Sequence, residues 1–227
     1  MEYIFFDLDF TLIDVKKAQY AAIKDLYHIY KFDNIVDVEA FTKKWDELTD
    51  YHYAFFTRKE ISYEEQRNRR IIDLFSCYNM ELDKTAKEIY DIYLKSFEDN
   101  WCLFDDVYNV IERLYNMGYK LGVISNGDLS QQTDKLKRTG IYKFFEIVTT
   151  ASEYDYSKPD PKLYEAIIER FNIVKTEIIM IGDQVEKDVI PCLQIGIDAI
   201  WLNRKDKANK ENVKEIKSLK GIFEFLK

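Results

Sequence analysis

An α/β fold with a parallel-sheet core and an inserted all-helical domain is predicted for this 227-residue chain from three observations. Short apolar runs alternate with helical stretches of about ten to fifteen residues, the rhythm of right-handed βαβ units with a sheet covered on both faces. Two of those runs, YIFF at 3–6 and IIMIG at 178–182, end directly on aspartate. Between residues 15 and 97 the texture changes: there is neither Gly nor Pro, charge is dense, and apolar residues such as Tyr20, Ile23, Tyr27 and Tyr30 recur at helical spacing.

The elements follow in order. Tyr3 to Phe6 is a β-prone run that suits a buried strand opening into a loop. Residues 15–97 form the helical insertion, of three or four helices, with Ser62 and Glu65 at capping-box spacing and Asp83 placed to cap a later helix. The core then resumes at about residue 98, so residues 1–14 and 98–227 form one domain and 15–97 a cap expected to act as a lid. A helical repeat at Val107, Val110, Ile111 and Leu114 leads through Gly118 to the strand KLGVIS at 120–125. A polar helix from about Leu129 to Arg138 stops at Gly140, and FFEIVT at 144–149 reads as a strand. Pro161 starts a helix through Leu163, Ile167 and Ile168. The strand from Glu177 to Asp183 precedes a helix to Ile195, and Asp198 to Leu202 supplies a further strand. The Lys-rich stretch from Arg204 to Lys217 reads as a solvated loop and helix face.

Composition narrows the function. With 47% hydrophobic and 15% aromatic residues the chain can bury a substantial core. A net charge of −8 argues against broad attraction to nucleic acid or anionic lipid. Cys77, Cys102 and Cys192 are widely spaced and odd in number, so buried free thiols are expected and neither a disulfide framework nor a zinc knuckle is indicated. No apolar stretch approaches the roughly 18 residues of a membrane span, and Asp7 and Asp9 interrupt the apolar N-terminal run. A cytoplasmic location fits this usage.

Four short stretches carry the chemistry: FDLDFTL at 6–12, ISNG at 124–127, SKPDP at 157–161 and IGDQVEKD at 181–188. Asp7 and Asp9 would share one side of an extended strand, and two carboxylates so close resist joint ionisation without a cation or a proton. Asp7 is the expected nucleophile toward phosphorus, and Asp9 the general acid and later base. Thr11 would close the loop by a hydroxyl hydrogen bond or orient Asp9. Ser125 and the loop N–H groups after it, at Asn126 and Gly127, can donate to phosphoryl oxygens. Lys158, stiffened by Pro159 and Pro161, offers the positive charge a phosphate needs beside Asp7, since like charges at about 4 Å repel by roughly 4 kcal/mol at an effective dielectric of 20. Asp183 can join Asp7 in holding a hard cation such as Mg²⁺, with Asp188 as a water-linked ligand or orienting Lys158. Thr11, Ser125, Asn126 and Lys158 are thus the expected phosphate-binding set.

Taken singly, each residue also has a plain structural explanation. D-x-D can be a surface turn, Asn126 and Asp128 ordinary caps, Lys158 a solvated loop lysine, and Asp188 a helix cap. His28 and His52 do not pair as metal ligands, and Trp45, Tyr51, Tyr53, Phe55 and Phe56 fit helix packing better than the lining of a substrate pocket.

Together the four stretches resemble the haloacid dehalogenase superfamily, in the branch with a helical cap after the first motif. D-x-D-x-T is matched by Asp7, Asp9 and Thr11; the strand ending in Ser or Thr by Ser125; the Lys before Pro by Lys158; G-D-x-x-x-x-D by Gly182, Asp183 and Asp188. The resemblance covers essentially the whole chain. It implies a Rossmann-like core with its site at the C-terminal strand ends, and Mg²⁺ held by Asp7, Asp183 and the backbone carbonyl of Asp9. Dehalogenases of the family lack the second aspartate of the first motif, so Asp9 points to a phosphatase. SNGDLSQQTDKLKRTGI at 125–141 is similar, more loosely, to the matching region of nucleoside monophosphate and sugar phosphate phosphatases. Phe10 departs from the Gly or Asn often found in the first loop. The expectation is a Mg²⁺-dependent phosphomonoesterase acting through an aspartyl-phosphate on a small phosphorylated metabolite, as a monomer or weak homo-oligomer. The alternatives are a 2-haloacid dehalogenase and a non-catalytic binding protein on the same fold.

Overall fold

A computed structural model describes residues 2–226. The chain forms two compact units, Lys16–Asn100 and, on either side of it in sequence, Met1–Val15 with Trp101–Lys227.

The helical unit contains α1 (Val15–Ile29), α2 (Val38–Thr57), α3 (Tyr63–Cys77) and α4 (Ala86–Asp99). Each is amphipathic, and Leu26, Phe41, Trp45, Ile71, Leu74 and Ile89 share one apolar cluster. Trp45 is buried there while Tyr51 and Tyr53 are exposed, so the aromatic run divides between core and surface as the helix turns. Ser62 caps α3 by accepting the Glu65 N–H at 3.0 Å, but the Glu65 carboxylate binds Arg69 and leaves the box half made. The cap of α4 is Thr85, not Asp83. Thr85 and Glu88 exchange hydrogen bonds as a full capping box, and Asp83 has only Ala86 three residues on, which cannot reciprocate.

The other unit is built on six parallel strands: β1 (Tyr3–Phe6), β2 (Lys120–Ser125), β3 (Phe145–Thr150), β4 (Ile178–Gly182), β5 (Asp198–Leu202) and β6 (Glu215–Ile216). Their order across the sheet is β3-β2-β1-β4-β5-β6, which places β1 and β4 at the centre, with β2 on the far side of β1. Strands buried on both faces read as continuous apolar runs, and β1 and β4 do so. The connecting helices are α5 (Val107–Asn116), α6 (Leu129–Arg138), α7 (Pro161–Phe171) and α8 (Ile190–Gln194). Leu163, Tyr164 and Ile167 of α7 pack with Phe5, Met180 and Trp201 in one core cluster. Because every strand is parallel, the ends of β1, β2 and β4 deliver Asp7, Ser125 and Asp183 to one edge of the sheet.

Three details differ from the sequence reading. The helix expected from Asp183 to Ile195 is a π-helical turn at Val185–Val189 followed by the short α8. Pro191 has no N–H for the regular ladder, and the carbonyl of Lys187 is taken instead by the Tyr164 hydroxyl at 2.8 Å. The stretch 204–217, expected as loop and helix face, contains β6, which pairs with β5. The three cysteines form no disulfide, as expected, yet only Cys192 is buried; Cys102 is partly covered and Cys77 exposed. No helix among the described residues is long and apolar enough to cross a membrane.

A buried ion pair ties the C-terminal region to the loop after β1. Arg204 grips Asp106 through two bonds of 2.9 and 3.0 Å and donates to the Thr11 carbonyl at 3.1 Å. Asp106 also accepts the Leu219 N–H at 2.7 Å. Asp106→Ala is expected to lower stability by about 3 kcal/mol in urea unfolding, because it strands the Arg204 charge. The double substitution Asp106→Leu with Arg204→Met should lose markedly less than the single one.

Candidate active site

All the site residues anticipated from the sequence lie in the sheet-bearing unit. The Asp7 N–H donates to the Ile181 carbonyl at 2.8 Å, so the β1 and β4 pairing continues one step beyond β1 and brings Asp7 beside the end of β4. Thr11 joins the two loops: its hydroxyl donates to Asp7 Oδ2 at 3.0 Å and accepts the Asp183 N–H at 3.1 Å. Thr11 is fully buried and its single proton goes to Asp7, so its hydroxyl closes the loop as one reading had it and orients Asp7 where the other had Asp9.

Asp188 folds back from the π turn against the end of β4. A Cβ at Gly182 would lie 2.3 Å from the Asp188 carboxylate carbon, so only glycine admits this approach. Asp188 Oδ2 accepts the Gln184 N–H at 3.1 Å, and its Oδ1 accepts from Lys158 Nζ at 2.8 Å. The same ammonium donates to Asp7 Oδ1 at 2.8 Å. Lys158 is buried rather than solvated.

Asn126 explains how a lysine from a loop is held there. Its side-chain amide donates to the Lys158 carbonyl at 2.9 Å and accepts the Lys158 N–H at 2.8 Å. Both ends of the side chain therefore bond the Lys158 backbone, so the Asn126 side chain positions Lys158. Ser125 keeps a donor's geometry. Its Oγ accepts from Gly127 N at 3.2 Å and from Gln132 Nε2 at 2.8 Å, which occupies both lone pairs and leaves its proton to donate.

The electrostatics are unbalanced. Carboxylate oxygens of Asp7, Asp183 and Asp188 all lie within 4.8 Å of one another, with the Lys158 ammonium on two of those carboxylates. Three carboxylates against one ammonium leave a surplus of two negative charges when all are ionised. Burial pushes Asp7 up to about 7, with Lys158 opposing and Asp188 and Asp183 adding to the rise. Burial and the charge of Asp188 push Asp183 up to about 6. Burial alone would depress the Lys158 ammonium, but Asp7 and Asp188 raise it above its ordinary value and keep it charged. Asp183 Oδ1 is buried and has no hydrogen-bond partner among the described residues. An orphaned carboxylate oxygen in an all-oxygen, doubly negative cluster fits a hard divalent cation.

Asp9 is not part of this cluster. Its carboxylate is held by Lys135, whose Nζ lies 2.7 and 2.8 Å from the two oxygens, and by Gln132 Nε2 at 3.0 Å. The sequence reading did not single out Gln132 or Lys135. They stand three apart on α6, where Leu129 and the buried Leu136, three before and four after Gln132, are the only apolar residues that mark the inward face. Phe10, between the two aspartates' loop and Thr11, adopts the left-handed conformation with φ 68°. That is the physical reason why Gly or Asn suits this position. Phe10, Asp183, Trp201 and Lys205 line a groove of about 410 Å³ beside the carboxylates.

The parallel sheet thus brings an aspartate pair and a hydroxyl donor to its central strand ends, beside a buried loop lysine. Residues 4–202 match the family model described as haloacid dehalogenase-like hydrolase, and the chain belongs to that family. It is 28% identical over 204 residues to a pyrimidine 5'-nucleotidase, PynA, of Streptococcus pneumoniae, covering 89% of this chain and 84% of that protein. It is 27% identical over 210 residues to a glyceraldehyde 3-phosphate phosphatase of Pyrococcus abyssi, covering 87% and 79% of the two chains. The crystal structure of the putative HAD-hydrolase YfnB of Bacillus subtilis, bound to magnesium, superposes with a TM-score of 0.80 at 22% identity, covering 99% of this chain and 98% of that one. The chain is therefore an enzyme, a hydrolase of this family.

The raised carboxylates have a measurable consequence for stability. Asp7 and Asp183 bind protons more tightly folded than unfolded, so their contribution is full below about pH 4 and is lost as pH rises through about 6 to 7. Thermal unfolding in a chelator is expected to show stability falling between about pH 4 and 7, with a shallower slope in Asp183→Asn. An unchanged slope would show that the cluster does not drive the effect.

Proposed function

We propose that the protein is a Mg²⁺-dependent phosphomonoesterase that works through an aspartyl-phosphate on a small phosphorylated metabolite. The observation that carries the reading is the placement of Lys158 between Asp7 and Asp188, with Asp9, two residues after Asp7, held independently by Lys135. An ammonium on the nucleophilic carboxylate offsets the repulsion that a dianionic phosphate would otherwise meet.

In the first half-reaction an Asp7 oxygen attacks phosphorus and the ester P–O bond breaks, while Asp9 in its protonated form gives its proton to the leaving oxygen. In the second, Asp9 takes a proton from water, the water oxygen bonds to phosphorus, and the Asp7–phosphorus bond breaks to release phosphate. Ser125 donates its free proton to a phosphoryl oxygen, and Lys158 holds the group's negative charge. Asp7 and Asp183, with the backbone carbonyl of Asp9, would hold Mg²⁺, with Asp188 behind them. When bound, the ion neutralises the surplus carboxylate charge and polarises the phosphoryl group.

The relatives named above support nucleotides and sugar phosphates as the substrate class, since one is a nucleotidase and the other acts on a triose phosphate. Loss of halide needs no proton donor, so the independently anchored carboxylate of Asp9 favours phosphate ester cleavage over dehalogenation.

The deciding measurement is phosphate release from a panel of nucleoside monophosphates and sugar phosphates, with and without Mg²⁺. Turnover is expected only with the ion, and Asp7→Asn is expected to abolish it without unfolding the protein. Borohydride trapping during turnover should label Asp7; labelling elsewhere, or full activity in Asp7→Asn, would sink the mechanism. Mg²⁺ should also raise the melting temperature more at pH 8 than at pH 6, because protons compete for Asp7 and Asp183 below about pH 7 and 6.

A further inference from the structure

The inward face of α6 forms a connected network that the nucleophile and metal carboxylates do not use. Lys135 is buried, at 3% exposure, and contacts both oxygens of Asp9. Its ammonium also stands 5.5 Å from the centre of the Trp101 ring. Gln132 is buried too, and one amide nitrogen bridges Asp9 Oδ2 at 3.0 Å and Ser125 Oγ at 2.8 Å. A Cβ at Gly127 would fall 2.2 Å from that nitrogen, so the bare backbone of Gly127 is what lets the amide reach both partners.

We propose that Gln132 and Lys135 are positioning residues, which fix Asp9 and Ser125 relative to each other so that the proton donor and the phosphoryl-oxygen donor act as one preset pair. The inference rests on the phosphatase reading above and adds to it the residues that hold the leaving-group side of the site.

The physical argument is orientation. The Asp9 side chain is one-third exposed and, without anchors, would sample several rotamers; its useful rotamer is the one that faces the leaving oxygen. Lys135 and Gln132 place three donor contacts on its two oxygens, and all come from a single helix whose packing does not depend on substrate. The bridging amide saturates the Ser125 lone pairs together with Gly127 N, so the hydroxyl proton is directed away from them. Lys135 pairs with the ionised form of Asp9, the form left once the proton has gone to the leaving oxygen and the one that later takes a proton from water.

The role separates from mere structural support by its dependence on the leaving group. An alkyl phosphate needs its departing oxygen protonated, whereas dinitrophenyl phosphate does not. In Lys135→Met the first-turnover rate of Asp7 phosphorylation should fall about 100-fold with an alkyl phosphate and less than about fivefold with dinitrophenyl phosphate. Gly127→Ala, which displaces the Gln132 amide without altering an acid, base or nucleophile, should show the same asymmetry at smaller size. Equal losses on both substrates, or no loss on either, in variants that melt like the parent would overturn the proposal. A crystal structure of Lys135→Met provides a readout free of activity: the Asp9 carboxylate is expected to leave its position, and an unmoved Asp9 refutes the role. Absence of phosphate release from the parent enzyme would defeat the phosphatase reading alone, and the crystallographic comparison would still decide whether Lys135 holds Asp9.

Discussion

The site depends on one buried ammonium held among three carboxylates. Lys158 reaches Asp7 and Asp188 at 2.8 Å each, and Asp183 stands within the same small volume. Buried charges of one sign are tolerated only when paired, and here the pairing is deliberately incomplete. Burial, with the remaining negative charge adding to it, raises Asp7 and Asp183 above ordinary carboxylates, and Asp183 Oδ1 is left unsatisfied. A divalent cation and a phosphate dianion are together the natural complement of such a site.

Much of the surrounding architecture serves to keep those four groups in register. Adjacent parallel strands bring Asp7 and Asp183 side by side, and Thr11 locks the two loops through one hydroxyl. Gly182 lets Asp188 approach, and Asn126 pins the main chain of Lys158 at two points. Arg204 braces the Thr11 loop from the far end of the chain. Of these supports only Thr11 touches a reacting group, at Asp7 Oδ2, and each limits how far one of the charged groups can move.

The legible part of the site was its chemistry. Asp7, Asp9, Ser125, Lys158, Asp183 and Asp188 stand out because acidic, hydroxyl and basic residues interrupt or terminate apolar runs, and because four such interruptions occur in order. Less legible was the division of labour. Asn126 and Thr11 carry groups suited to phosphate, yet the fold commits both side chains to neighbours thirty or more residues away in one case and to two loops in the other. Gln132 and Lys135 gave little signal, since only Leu129 and Leu136 mark the inward face of their polar helix. Among the elements, Thr85 displaced Asp83 as a cap because only Thr85 has a reciprocating Glu88. Pro191 shortened α8, and β6 formed from two residues whose pairing partner lies in β5.

By itself the sequence determined the rhythm of strands and helices, the interruption by a helical unit, and the identity of the reactive groups, because these follow from local periodicity and from residue type. The tertiary structure alone decided which carboxylates share Lys158, which hydroxyl keeps a proton to give, and which lysine anchors Asp9. Two of those relations, Asp7 with Lys158 and Asp9 with Lys135, join residues more than a hundred positions apart, and distance along a chain carries no record of distance in space until the sheet has placed its strands side by side.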